Sequence, residues 1–90
     1  MQWYTLLVKV DPSKNNEITR TLGSYPQNPH EGVTLYNTFH IFGDWDVCLR
    51  FSADNNDNAM AFVQQYIAKV PGVIRTQTFP ATPIKTYTEP

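Results

Sequence analysis

The run Gly43-Asp44-Trp45-Asp46 places two carboxylates and a large aromatic directly after a glycine. Glycine accepts positive φ and lets another chain's backbone or a ligand come close. Asp46 could receive an ammonium group, or it could cap backbone amides beside a turn, the usual fate of an aspartate in such a place. Trp45 at a loop tip suits burial against a neighbouring subunit. Thr76 and Thr78 alternate along a downstream segment, so they share one strand face and could hydrogen-bond a carboxylate, although threonine is also simply favoured in strands.

Catalysis or metal binding would draw on His30, His40, Cys48 and Asp46. His30 sits in a proline-bounded loop and reads as solvated. His40 and Cys48 fall opposite each other in the hairpin register favoured below, yet two ligands are fewer than the three or four a zinc site uses. A satisfied histidine at a sheet–sheet interface is the plainer reading. The lone cysteine offers neither an internal disulfide nor a CxxC pair, and no glycine-rich phosphate loop or Ser-His-Asp spacing is present. No catalytic residue, metal or cofactor is assigned.

These residues need elements to position them. From Trp3 to Val10 the chain alternates, with Tyr4, Leu6, Val8 and Val10 on one face and Trp3, Thr5, Leu7 and Lys9 on the other, which predicts a strand. Asp11-Pro12-Ser13 breaks it, and Ile18 and Leu22 mark a short helix with Gly23 as its C-terminal cap. A loop over Ser24 to Gly32 leads to a second strand, Val33 to Ile41, and a third, Asp46 to Ser52. An odd loop, Gly43-Asp44-Trp45, would pair Ile41 with Val47 and Phe39 with Leu49, whereas an even loop opposes apolar to polar residues. Asp54 is the expected N-cap of the strongest helix, whose stripe is Ala59, Phe62, Val63, Tyr66, Ile67 and Val70. Pro71-Gly72 ends it, Val73 to Phe79 alternates as a fourth strand, and the proline-rich tail can be at most an edge strand around Ile84 to Tyr87.

The order β-α-β-β-α-β predicts an α+β, ferredoxin-like fold: an antiparallel sheet with two helices on one face. The other face would carry Trp3, Leu7, Tyr36, His40 and Cys48, and probing it with water alone leaves too much apolar surface wet. Face-to-face pairing of two sheets resolves this, so those five residues are the expected dimer interface.

Ninety residues allow one domain, 1–90, and 41% hydrophobic against 17% charged residues predicts a packed core. Neither a membrane-length apolar run nor a signal-like start is present, so a cytoplasmic location and no membrane partner are expected. A formal net charge of -1, with the basic residues dispersed, disfavours direct nucleic-acid binding.

The stretch His40-Ile41-Phe42-Gly43-Asp44-Trp45-Asp46-Val47-Cys48-Leu49-Arg50-Phe51 resembles the Lrp/AsnC-type regulators' effector domain (the RAM module), in its pattern of strand, Gly-x-aromatic-Asp and apolar strand. Phe62-Val63, then Val70-Pro71-Gly72-Val73 running on to Thr76 and Thr78, and a closing Lys85 extend the resemblance from about Trp3 to Lys85. It departs at Phe42, where a threonine commonly precedes the glycine, and in the lengthened Pro26 to Glu31 connection. The resemblance implies a dimeric αβ-barrel, assembly into rings of dimers, and amino-acid-like effectors held between dimers. Gly43, Asp44, Trp45, Asp46, Thr76 and Thr78 are then the expected ligand-binding set. Met1 leads straight into the first strand, so a stand-alone module without a helix-turn-helix is expected, one that could join full-length relatives in mixed assemblies. The rivals are a small dimeric αβ-barrel enzyme of monooxygenase or isomerase type, with His40 as participant, and a purely structural oligomerisation domain.

Overall fold

A computed structural model describes residues 1–87. Strand β1 (Gln2–Val10) buries Tyr4, Leu6, Val8 and Val10 and leaves the alternate residues half-buried. The Asp11 carboxylate accepts the Ser13 amide, and a 3-10 turn over Pro12–Lys14 leads into α1 (Asn15–Gly23), which buries Ile18 and Leu22. Gly23 is the last helical residue rather than a left-handed cap. The next residue, Ser24, keeps right-handed backbone (φ -86), and its amide bonds back into the last turn. The positive-φ glycines are Gly32, Gly43 and Gly72.

Strands β2 (Val33–His40) and β3 (Val47–Ala53) follow, then α2 (Asn56–Phe62), which widens into a π turn over Val63–Ile67, and β4 (Val73–Pro80). Asn55, not Asp54, caps α2, its side chain accepting the Asn58 amide at 2.8 Å. Asp54 is still tied to the preceding loop, donating its amide to the Gly32 carbonyl at 2.9 Å. The four strands form one antiparallel sheet in the order β2-β3-β1-β4, the ferredoxin-like arrangement. Ile18, Leu22, Ala59, Phe62, Val63 and Ile67 from the helices close over Leu6, Val8, Leu49 and Phe51 as a single core.

The β2–β3 hairpin differs from the odd-loop expectation. Ile41 donates its amide to the Asp46 carbonyl at 3.0 Å, which leaves an even, four-residue loop of Phe42, Gly43, Asp44 and Trp45. Phe39 therefore lies opposite Cys48 and His40 opposite Val47. A bulge between Leu35 and Asn37 restores the parity, so that Val33 and Leu35 still face the helices, opposite Ala53 and Phe51. The polar residues Thr38 and His40 can occupy the helix side because β2 is an edge strand there and both remain exposed.

Residues 81–87 do not form a further strand. Beyond an Ala81 amide bond to the Trp3 carbonyl at 2.9 Å, the tail leaves Ile84 and Tyr87 exposed. Among the described residues, no helix is long and apolar enough to cross a membrane.

Candidate functional site

Both helices lie on one side, so alternation sends Trp3, Leu7, Tyr36, Phe39 and Phe79 to the open side of the sheet. Trp3 and Tyr36 stack with ring centroids 4.6 Å apart. The Tyr36 hydroxyl pairs with the Ser52 hydroxyl at 3.1 Å, which satisfies a serine that is itself buried. Cys48 lies between Leu7 and Phe39 and is only 7% exposed. Burial pushes its thiol pKa up, against a weaker opposing effect of Arg50, so the reactive thiolate is disfavoured.

Of the five residues expected on this face, Trp3, Leu7, Tyr36 and Cys48 are there. His40 is not: the even loop turns it to the helix side, away from Cys48. The histidine–cysteine pairing considered from sequence is thereby broken. His40 instead borders a cleft of about 110 Å³ with Thr19, Leu22, Gly23, Thr38 and Val47. That volume is well below the roughly 300 Å³ at which small-molecule pockets begin, but His40 also borders a wider, more open depression of about 350 Å³ with Asn15, Ile41, Phe42 and Asp46. His30 is partly buried rather than free in solvent, its ring edge-on to Tyr66 at 5.8 Å.

The hairpin tip and the Pro71-Gly72 turn meet at the C-terminal end of β1. Gly72 accepts the Asp11 amide at 2.8 Å, while Asp46 donates its own amide to the Val8 carbonyl at 3.0 Å. One Asp46 carboxylate oxygen, Oδ2, accepts the Val10 amide at 2.9 Å and lies 3.6 Å from the Lys9 ammonium. Asp46 thus pins the hairpin across the strand end. Trp45 packs beneath the Arg75 guanidinium, 4.7 Å from ring centroid to carbon. Lys9 and Arg75 are direct partners across β1 and β4.

Thr76 and Thr78 do share a face, opposite Val8 and Leu6, and both are half-buried. That face is the helix side, so their strand register sends them away from the Lys9–Arg75 side. Gly43 (φ +117) has open space around it, and Asp44 is exposed beside it.

Phe39, Phe79 and Arg75 were missed by sequence reasoning. Phe39 was assigned to the core by strict alternation, which a bulge interrupts. The signal was Asn37, a polar residue that uniform alternation places on the apolar face with Val33, Leu35, Phe39 and Ile41.

Compared with solved structures, the chain matches FFRP-DM1 at TM-score 0.74 and 20% identity, covering 91% of this chain and 100% of that one. It matches AsnC of E. coli at TM-score 0.77 and 11% identity, covering 98% of this chain and 56% of that one. A transcriptional regulator from Neisseria meningitidis, solved as an L-Met complex, matches at TM-score 0.75 and 17% identity, covering 97% of this chain and 53% of that one. The chain spans all of FFRP-DM1 and about half of the two regulators. At these identities the likeness is one of fold, and it is the fold that the resemblance to Lrp/AsnC effector domains implied. No protein-family model and no curated protein matches the sequence.

Proposed function

We propose that this chain is a non-enzymatic sensing and oligomerisation module of transcription regulation. It pairs with a second copy through the open face of its sheet and takes an amino-acid-like effector near the hairpin end of β1, around Gly43 to Asp46. The observation that carries this reading is the open face itself, where Trp3, Leu7, Tyr36, Phe39 and Phe79 gather and, among the described residues, no helix or strand lies above them, the Ala81–Pro83 tail reaching only the Trp3 edge. Burying such a face returns about 25 cal/mol per Å² of apolar area, offset in part by association entropy.

The fold shared with AsnC and with the L-Met-bound regulator supports a regulatory role. Mixed assembly with full-length regulators of that fold belongs to the same reading. The enzymatic alternative is disfavoured by the raised Cys48 thiol pKa and by the placement of His40 on the opposite side of the sheet from Cys48. Dispersed charge argues against DNA contact by this chain itself.

A thermal-shift screen of the proteinogenic amino acids and related metabolites tests the sensing role. An effector at a hundred times its Kd adds about 2.7 kcal/mol of stability, a rise of about 10–20 °C in melting temperature for a domain of this size. No response to any compound would leave a purely structural oligomerisation domain.

A further inference from the structure

Lys9 and Arg75 face each other directly across antiparallel strands β1 and β4. Like charges so placed destabilise a strand pair, and the chain relieves them unequally. Lys9 has Asp46 at 3.6 Å, through an oxygen already holding the Val10 amide. Arg75 forms no ion pair among the described residues and instead lies over the Trp45 ring. A guanidinium without a carboxylate partner matches one with two parallel hydrogen bonds. The second Asp46 oxygen, Oδ1, makes no hydrogen bond among the described residues. One strand end therefore carries an orphaned guanidinium, a half-compensated ammonium, a free carboxylate oxygen and an indole wall.

We propose that Arg75, seconded by Lys9, holds the carboxylate of the effector, with Trp45 as the wall and Asp46 Oδ1 receiving the ammonium. This rests on the amino-acid-sensing reading and assigns the acid pole to residues other than Thr76 and Thr78. Ligands of this site are small molecules with a free carboxylate beside an amine.

The test measures binding of each L-amino acid that shifts the wild-type melting temperature, alongside its carboxamide, which keeps the amine and loses the charged acid. The acid is expected to bind and the carboxamide to fail. Arg75→Met should weaken binding of the acid roughly ten- to a hundredfold, with Arg75→Lys intermediate. Joint Thr76→Val and Thr78→Val substitution should leave affinity unchanged. Equal binding of acid and carboxamide by the wild type overturns the assignment without needing any variant to fold. So does a folded Arg75→Met protein with wild-type affinity. In either case the sensing reading survives, whereas a wild type that answers to no amino acid removes both.

Discussion

On one face of the sheet Leu6, Val8, Leu49 and Phe51 are sealed beneath α1 and α2, while on the other Trp3, Leu7, Tyr36, Phe39 and Phe79 meet no covering helix or strand among the described residues. The closed face is apolar along its central strands and polar only at its edges, where His40 and Thr38 flank one side and Thr76 and Thr78 the other. The open face mixes aromatic rings with Thr5, Lys9, Arg50 and Gln77. A core cannot tolerate that mixture, but an interface can, because its rim stays wet and its aromatics supply area at low entropic cost. The difference supports the proposed division, with folding on one face and assembly on the other.

The comparison breaks most visibly at the core. Phe62→Ala, at a fully buried ring edge-on to Phe51, should cost about 3–5 kcal/mol, read by chemical denaturation. Trp3→Ser on the open face should leave the chain folded and act on its association instead. Equal unfolding by the two would show that the faces do not divide the work.

Two glycines sharpen the contrast at the end of β1. A side chain at Gly72 (φ +94) would meet Lys14 Cβ at 2.6 Å and Ile18 Cδ1 at 2.9 Å, whereas one at Gly43 (φ +117) meets open space. Gly72→Ala should therefore lower stability by more than the about 1–2 kcal/mol of backbone strain that bounds Gly43→Ala. Thermal melts of the two variants side by side measure the gap, and equal losses would place no steric demand on the Gly72 approach.

Cys48 probes the open face chemically. Because burial raises its pKa in the folded chain, the unfolded chain ionises first as pH rises. Stability is unaffected below the ordinary thiol range and falls above it, a modest loss that Cys48→Ala should abolish. Denaturation midpoints on either side of about pH 8.5 measure it. The smallest effect is expected at Lys9→Gln, whose partly exposed ion pair contributes roughly 0–1 kcal/mol in a denaturant titration; a larger loss would make that pair a structural anchor.

Most of the architecture was legible in the sequence because hydrophobic periodicity reports directly on burial. The stripe Ala59, Phe62, Val63 and Ile67 and the alternation of β1 are both in the core as read. The β2–β3 register was not legible, since a bulge changes strand parity without changing composition. Its consequence was to exchange His40 and Phe39 between faces. At the candidate site the hairpin turn and the Pro71-Gly72 turn were both legible as turns, and the structure brings them to the same end of β1. The cation pair there escaped notice because Lys9 and Arg75 are far apart in sequence and meet only through strand order.

Sedimentation velocity of the wild-type protein at micromolar concentration tests the open face most directly. A dimer or a multiple of it is expected, with joint Trp3→Ser and Phe39→Ser substitution yielding a folded monomer. A wild-type protein that sediments as a stable, folded monomer would contradict the account.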